Sequence, residues 1–267
     1  MQILVTVKEV GQLGEEVVIE DGDVAESALE YDLNEWDEYA LESAVQLSES
    51  LDDVEVVTAT IGPERSEETI RMALAKGADR ALRIWDDAIA NDDGDALLDT
   101  RTRVELLSAV VDRVEPDLVL TGVQSADATF GSTGVALAEA IDDAWAAVVN
   151  DLEVDAEAGT ASVHRELEGG IEELTDVQLP AVLTIQTGIN EPRYASLRGI
   201  RQAQSKPLDV LDLEDVGVSA EAIDGSLETT AMYEPESTSD AEIWEGDAEA
   251  TAGQLADFLR DVGVIEG

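Results

Sequence analysis

A loop rich in glycine, serine and threonine has the residue types that bind a phosphate group. It reads TGVQSADATFGSTG over 121–134, between a predicted buried strand, Asp117–Thr121, and a helix predicted to about Ile141. Ser132 and Thr133 would lie at the first turn of that helix, where free N–H groups attract phosphate. Glycine lets the backbone approach a ligand, and the carboxyl end of a parallel strand is where a nucleotide phosphate is expected. A glycine-rich turn with an ordinary helix cap explains the same pattern, so both interpretations stay open.

A second segment, LPAVLTIQTGINEPRYASL, has the residues of a protein-recognition element. Pro192 suits the first turn of a helix. Arg193 and Tyr194 can anchor the base of that helix, which leaves Leu197 free to stand exposed. One buried aliphatic anchor can supply most of the energy of a small transient interface. Alternatively, Leu197 and Ile200 form a core stripe, because they are spaced i, i+3 on a helix.

The sequence offers little for acid–base, thiol or metal chemistry. It contains no cysteine and one histidine, His164, which lies on a predicted strand before the hairpin turn Glu168-Gly169-Gly170. A single histidine is a poor metal ligand set and cannot form a catalytic triad by itself. We expect His164 to be a surface or packing residue, and we assign no catalytic residue and no metal site.

Several segments, in this order along the chain, resemble the beta subunit of the electron transfer flavoproteins. They are GPERSEETIRMALAKGADRA over 62–81, the 121–134 loop, the turn at 168–170 and NEPRYASL over 190–197. The resemblance covers most of residues 1–207. In that family the last segment inserts a leucine into partner dehydrogenases. The docking residues that it implies here are Asn190, Glu191, Pro192, Arg193, Tyr194, Leu197 and Ile200.

The resemblance also implies an adenine-nucleotide site. It is formed by the end of the first strand, by the turn before the first long helix and by the glycine-rich loop. The positions implied here are Thr6, Asn34, Glu35, Trp36, Asp37, Ile61, Gly122, Val123, Gln124, Ser125, Ala126, Asp127, Ala128, Thr129, Phe130, Gly131, Ser132 and Thr133. Ordinary members hold AMP there, whereas electron-bifurcating members hold a second FAD. The loop lacks the Val-Gly-Pro ending of the bifurcating type, which favours AMP and leaves FAD as the alternative.

The resemblance further implies a redox cofactor and partners outside this chain. FAD would lie mainly on an alpha subunit, and Trp36 is a candidate neighbour of its flavin ring. Acyl-CoA or other flavin dehydrogenases would donate electrons, and a quinone oxidoreductase would accept them. The chain would then be an electron carrier subunit rather than a catalyst on its own. A free-standing adenine-nucleotide-binding module of the universal-stress type is a rival interpretation, but it does not explain NEPRYASL.

The predicted elements alternate between strand and helix. This alternation is typical of an α/β fold with a mostly parallel sheet flanked by helices, and the resemblance implies one like the adenine nucleotide alpha hydrolases. Asn34 is predicted to cap the first long helix, with Asp37 at its third position. The other predicted elements are strands Gln2–Val7, Val54–Ile61 and Ala81–Trp85, helices Glu64–Lys76 and Leu97–Val114, and a small hairpin pairing Glu16–Ile19 with Glu26–Ala28.

Short antiparallel strands are predicted to follow the α/β body. They are Trp145–Val149, Leu152–Val154, Thr160–Arg165, Ile171–Thr175 and, to complete the set, Pro180–Ile185. We predict a nucleotide-binding α/β domain over 1–207, which includes a docking segment at 188–207. The remainder, 208–267, is predicted to be an extended acidic C-terminal arm with a short terminal helix.

The charge of the chain is extreme. It carries 62 acidic and 15 basic residues, a net charge of −47. Such a charge destabilises a compact fold by self-repulsion unless salt screens it, and the acidic residues are spread along the whole sequence. We therefore expect a surface adapted to a salt-rich cytoplasm, as in halophilic archaea. An acidic face for cationic partners is the alternative.

The same composition excludes some classes of partner. No basic stripe is present to meet phosphates, so nucleic-acid binding is not expected. The apolar runs are strand-sized and fall short of the roughly 18 residues that a membrane span needs. The first residues enter a strand directly, without the pattern of a secretory signal. We expect a cytoplasmic protein.

Overall fold

A computed structural model describes residues 1–14, 18–20, 23–89, 98–223, 233 and 241–265. The strands are β1 (Gln2–Thr6), β2 (Glu9–Leu13), β3 (Ile19–Glu20), β4 (Asp23–Val24), β5 (Leu29–Leu33), β6 (Glu55–Ile61), β7 (Arg80–Ile84), β8 (Leu118–Gly122), β9 (Ala144–Asp155), β10 (Thr160–Leu167), β11 (Ile171–Gln178), β12 (Ala181–Ile185) and β13 (Leu208–Leu211). The helices are α1 (Glu35–Ser50), α2 (Glu67–Lys76), α3 (Thr100–Val114), α4 (Thr133–Ile141), α5 (Leu197–Ala203) and α6 (Ala248–Asp261).

A nine-stranded sheet is the centre of the fold. Its order is β11-β10-β9-β12-β8-β1-β6-β7-β13. The seven strands from β9 to β13 in this order run parallel, whereas β10 and β11 add an antiparallel hairpin at one edge. The inner strands are covered on both faces, which is why they read as unbroken apolar runs such as Ile3-Leu4-Val5, all fully buried. The predicted α/β fold with a mostly parallel sheet is confirmed.

Helices pack on both faces of the sheet. Ile3 and Val5 point to one face, where they meet α1 and α2 through residues such as Leu41 and Ile70. Leu4 points to the other face, where α3 and α4 contribute Leu106 and Leu137. Successive residues of one strand therefore serve two cores, as the alternation of side chains in a strand requires.

The centre of the sheet contains a topological switch point. β1 continues through α1 on one face, whereas its neighbour β8 continues through α4 on the other. The two connections diverge beyond the carboxyl ends of β1 and β8. Open α/β sheets bind their ligands at such a place, and this region is called the crevice below.

Several local predictions were wrong in detail. Glu26–Ala28 forms a 3₁₀ turn rather than a strand; β2 pairs instead with β5, and β3 with β4. The two strands predicted at 145–149 and 152–154 are one strand, β9, because a bulge near Val148 lets pairing continue past the irregularity. The prediction that Pro180–Ile185 completes an antiparallel set is wrong, because β12 pairs parallel with both β8 and β9 inside the main sheet. Glu16 and Leu97, where a strand and a helix were predicted to begin, lie outside the described residues.

The chain divides into two compact units, Met1–Met232 and Tyr233–Gly267. The boundary predicted after residue 207 stays a prediction, but β13 lies beyond it and extends the sheet by pairing with β7. In the second unit, the carboxylate of Asp247 accepts a hydrogen bond from the Ala250 N–H and caps α6, and the rings of Trp244 and Phe258 lie 5.4 Å apart. No helix in the described ranges has the length and apolar content to cross a membrane.

Gly134 is required by the close approach of α4 to the sheet. A Cβ at this position would overlap Thr121 Oγ1 and lie 2.6 Å from Thr184 Cγ2. Alanine favours a helix over glycine by about 1 kcal/mol, but overpacking costs about 1–3 kcal/mol. We therefore expect Gly134→Ala to lower the free energy of unfolding by up to about 2 kcal/mol, measured by urea denaturation.

Gly14→Ala is the matched control, because a Cβ there comes no closer than 3.4 Å to its nearest neighbour, the Ala28 carbonyl oxygen. It should leave the unfolding midpoint nearly unchanged. A Gly134→Ala protein more stable than the wild type would contradict the packing explanation.

Candidate functional site

The carboxylate of Asp37 joins the ends of β1 and β8. The Lys8 backbone N–H donates to its Oδ2 at 2.8 Å, and the Gly122 N–H donates to Oδ1 at 3.1 Å. Both donors lie at or beyond strand ends, where the sheet ladder no longer supplies acceptors. Burial raises the pKa of Asp37 to about 7, although these hydrogen bonds oppose the shift. Asp37 therefore fixes the crevice at an energetic cost to its own charged form.

Asn34 holds the loop that follows β8. Its Nδ2 donates to the Gln124 carbonyl oxygen at 2.8 Å, and its Oδ1 accepts from the Ala126 N–H at 3.3 Å. Asn34 occupies the N-cap position of α1, as predicted, but its side chain makes no cap hydrogen bond. Asp37 is also at the predicted third position of the helix, but Asn34 does not cap through its side chain, which bonds to the distant loop backbone instead.

Lys8 ties the same loop to the end of β1. Its Nζ lies 2.6 Å and 2.7 Å from the two carboxylate oxygens of Asp127 and 3.2 Å from Ser125 Oγ. Partial burial would raise the pKa of Asp127, but the hydrogen bonds from Lys8 and Ser125 outweigh it, and the net shift is downward. The sequence analysis did not include Lys8 in the site. Lys8 could have been identified because it is one of only three lysines in the chain and directly follows the first predicted strand.

The first turn of α4 faces this loop without a side-chain cap. Ser132 is its N-cap residue, but its side chain accepts no cap hydrogen bond. Instead, Ser132 Oγ lies 3.0 Å from Thr100 Oγ1 at the start of α3. The first N–H groups of a helix have no partner within the helix, so an uncapped first turn can bind an anion.

The structure brings the predicted nucleotide positions to one edge of the sheet. Thr6 ends β1, Ile61 ends β6, and the N-terminal turn of α1 packs against Gly122, where a Cβ would come within 2.6 Å of Trp36 Cβ. Trp36 also donates from Nε1 to Gln186 Oε1 at 3.2 Å. Glu35 is exposed at the start of α1. The 122–133 loop lies over the ends of β1 and β8. Phe130, in the outer part of this loop, is 70% exposed.

The second predicted site begins with a clamp on α1. The Arg193 guanidinium forms two hydrogen bonds with each of two carboxylates, those of Glu42 and Glu49, at 2.7–3.0 Å. These hydrogen bonds raise the pKa of Arg193 above its ordinary value. Asn190 Nδ2 adds hydrogen bonds to the Tyr39 carbonyl oxygen and Ser43 Oγ. Such bidentate pairs are geometrically specific, so the segment has one defined position on α1.

Beyond the clamp, the segment exposes apolar side chains. Tyr194 is 97% exposed, Leu197 81% and Ile200 40%. The prediction that Tyr194 anchors the base of the helix is therefore wrong. Glu191 is exposed as well, and Pro192 is half-buried. The prediction that Pro192 starts the helix is wrong. Helix α5 begins at Leu197 and is capped by Ser196, whose Oγ accepts a hydrogen bond from the Gly199 N–H at 3.0 Å. The exposure of Leu197 argues against the alternative core stripe.

The exposed helix is supported by close packing on α2. A Cβ at Gly199 would overlap the Ala75 carbonyl oxygen, so only glycine permits this approach. Arg71 Nη1 donates to the Ala203 and Lys206 carbonyl oxygens, and the Lys206 ammonium donates back to carbonyl oxygens of Leu74 and Ala78. Leu197 is thus exposed on a rigid base.

His164 belongs to neither site. It lies on β10 with its Nε2 3.4 Å from Glu172 Oε2, on the antiparallel hairpin at the sheet edge.

The raised pKa of Asp37 predicts a pH dependence of stability. A carboxyl whose pKa is higher in the folded protein stabilises the fold below its unfolded pKa, and this contribution is lost as the pH rises through the folded pKa. We expect the stability of the wild type, relative to Asp37→Asn, to fall from about pH 4 to about pH 7 by up to about 4 kcal/mol and then to level off. Urea denaturation across this pH range measures the difference.

The control for this comparison is Glu35→Gln, which removes an exposed carboxylate two residues away in the same helical turn. The free energy of unfolding of Glu35→Gln should change with pH in parallel with that of the wild type. Parallel curves for Asp37→Asn and the wild type would show that Asp37 does not titrate as its burial requires.

Comparison with known proteins identifies the family. A model of the electron transfer flavoprotein domain matches residues 21–216. The electron transfer flavoprotein subunit beta of Methylophilus methylotrophus is 44% identical over 267 residues, with 98% of both chains covered, and that of Bacillus subtilis is 33% identical, with 97% of this chain and 98% of the relative covered. The subunit CarD of the caffeyl-CoA reductase-Etf complex of Acetobacterium woodii is 31% identical, with 99% of this chain and all of the relative covered. The chain belongs to the electron transfer flavoprotein family, among its beta subunits.

Proposed function

We propose that this chain pairs with an FAD-containing alpha subunit, holds AMP as a structural nucleotide, and carries electrons from flavin dehydrogenases toward a quinone oxidoreductase. The observation that supports this most strongly is the docking segment. Leu197 is 81% exposed on a segment that Arg193 clamps to α1. Exposing a large apolar side chain on so rigid a base has no benefit for the fold and suits insertion into a partner pocket.

The nucleotide crevice supports the AMP assignment by its chemistry. The uncapped first turn of α4 offers N–H groups to a phosphate, with Ser132 and Thr133 beside it. Loop backbone at Gly122 and Gln124, together with Thr6 and Asn34, would surround the nucleoside. A bound nucleotide would brace the loop against the two strand ends that it covers.

A second FAD in this crevice is the alternative. The relative CarD comes from a caffeyl-CoA reductase-Etf complex, and it matches this chain over nearly its whole length. The Thr-Gly ending of the loop supports AMP instead.

The redox cofactor belongs to the partner in this proposal. This chain would cover one side of the flavin, with Trp36 as a neighbour of the ring, and it would not catalyse a reaction by itself. Acyl-CoA dehydrogenases are the proposed donors. Exposed Arg198 and Arg201 beside Leu197 give the docking helix a basic character on a chain of net charge −47, which suits partners with acidic residues around their pocket.

The charge supports a proposal about the cell as well. A net charge of −47 spread over the chain is tolerable where salt screens it, since the Debye length is about 3 Å at 1 M. We place the protein in the salt-rich cytoplasm of a halophilic organism.

Cofactor content tests the proposal directly. The chain, purified from its native cells, should bring down a larger subunit, and an acid extract of the complex should contain one FAD and one AMP per heterodimer. Chromatography with absorbance detection measures both. A colourless monomer would refute the subunit assignment, and two flavins per heterodimer would refute AMP in favour of a second FAD.

Docking is tested by Leu197→Ala. We expect reduction of the heterodimer by an acyl-CoA dehydrogenase to slow by at least about tenfold, because interface anchors contribute about 2 kcal/mol or more. FAD content and heterodimer assembly should not change, because Leu197 is exposed rather than packed in the core. Stopped-flow measurement of flavin reduction gives the rate.

Leu174→Ala is the matched control, since Leu174 is 80% exposed on β11, far along the sheet from α5. A heterodimer that carries Leu174→Ala should be reduced at the wild-type rate. Equal rates for Leu197→Ala and the wild type would remove the docking role.

A further inference from the structure

A cavity of about 350 Å³ beside α5 has a charge opposite to that of the rest of the chain. It lies between α5 and the C-terminal end of α2, and its charged lining residues are Lys76, Arg193, Arg198 and Lys206. No aspartate or glutamate is among the described residues that line it. Four of the 15 basic residues thus surround one cavity, in a chain that carries 62 acidic residues.

The sequence of the docking segment is depleted of acidic residues as well. Residues 192–208 form the longest run of the chain without aspartate or glutamate, 17 residues that include α5. A cavity lined by charges of one sign focuses their electric field and attracts the opposite charge. On this acidic protein, the cavity beside α5 is therefore a place to which an anionic group is drawn.

Two of the four cations already have counter-ions. The Lys76 ammonium pairs with Glu38, and the Arg193 guanidinium pairs with Glu42 and Glu49. These two side chains position the walls of the cavity, and their charges are compensated within the chain.

The other two cations, Arg198 and Lys206, have no counter-ion. No carboxylate of the described residues lies within ion-pair distance of either side chain. The Lys206 ammonium donates to the Leu74 and Ala78 carbonyl oxygens, which leaves one of its three N–H groups free. Burial lowers the pKa of Lys206, and the charge of Asp79 opposes the shift. An anion in the cavity would stabilise the charged form of this lysine.

We propose that the cavity receives an aspartate or glutamate side chain of the flavin dehydrogenase that binds Leu197, and that Arg198 donates hydrogen bonds to it. Ser196 and Arg198, the neighbours of Leu197 in the chain, both line the cavity. A partner that binds Leu197 therefore also reaches the cavity. The inference rests on the proposed function, since it assumes the docking role of Leu197. It makes Arg198 a specificity-determining residue, because a partner with an apolar or basic side chain here would leave the cations unpaired.

Arg201 has the same charge as Arg198 but a different position. It is exposed on the next turn of α5 and is not among the residues that line the cavity, and its Nε lies 3.4 Å from the Leu197 carbonyl oxygen. Both guanidinium groups attract an acidic partner from a distance. Only Arg198 can meet a carboxylate inside the cavity, where paired N–H···O bonds depend on exact geometry.

The test measures reduction of the heterodimer by an acyl-CoA dehydrogenase in about 1 M KCl, where a Debye length of about 3 Å suppresses attraction between distant charges. Stopped-flow traces at several dehydrogenase concentrations give the second-order rate constant and the limiting rate. Arg198→Gln should lower the second-order rate constant by about tenfold, because the partner's carboxylate loses a charge-assisted hydrogen bond. The limiting rate should stay near that of the wild type, since Arg198 is proposed to contact the partner and not the flavin.

Arg201→Gln is the matched comparison, because it removes the same charge from the same helix outside the cavity. It should lower the second-order rate constant by less than about twofold at this salt concentration. Equal losses for the two variants, or no loss for Arg198→Gln, would overturn the inference. Leu197→Ala separates this failure from that of the proposed function: if it too is reduced at the wild-type rate, the docking role itself is lost.

Inorganic phosphate tests whether the cavity binds a free anion instead. Added at constant ionic strength, phosphate should compete with the partner's carboxylate and slow reduction of the wild type, with little effect on Arg198→Gln. Faster reduction of the wild type in phosphate would show that the cavity is filled by a free anion and would overturn the inference.

Discussion

The buried carboxylate of Asp37 is the contact on which the crevice depends. Two neighbouring parallel strands end side by side, and each leaves a backbone N–H without a ladder partner, those of Lys8 and Gly122. One carboxylate from the first turn of α1 satisfies both and so fixes the helix against the strand ends. The environment does not favour its charge, and burial brings its pKa to about 7. The two hydrogen bonds therefore hold the geometry of the crevice although the charged form of Asp37 is destabilised by its burial.

Helix α1 also links the two sites. Its N-terminal turn holds the nucleotide loop through Asn34, and its outer face holds the docking segment through Glu42 and Glu49. From Asp37 to Glu49 the helix rises about 18 Å. Because both candidate sites are attached to one helix, their separation is set by the helix and not by the loops. The proposed electron donor and the proposed nucleotide would thus be held at a fixed distance from each other.

Local patterns predicted most elements and both candidate sites, because strand runs, glycine-rich turns and NEPRYASL are contiguous in sequence. Contacts between distant residues were not predictable. Lys8 meets Asp127 across 119 positions, and Asn34 leaves its expected cap for a loop 90 residues away, since tertiary hydrogen bonds replaced local ones. Thr100 has the sequence context of an ordinary helix residue. Its contact with Ser132 appears only when the starts of α3 and α4 lie side by side.

The clamp that Arg193 forms on α1 has a consequence for the thermodynamics of partner binding. The backbone around Leu197 is already ordered by two carboxylates, a cap at Ser196 and the packing of Gly199 on α2. The conformational entropy of this segment is lost during folding, so the proposed partner would not have to order a loop when it binds Leu197. Preorganisation of this kind raises affinity without enlarging the interface. In the proposed docking role, a small interface can therefore be sufficient, because little binding free energy is spent on ordering the segment.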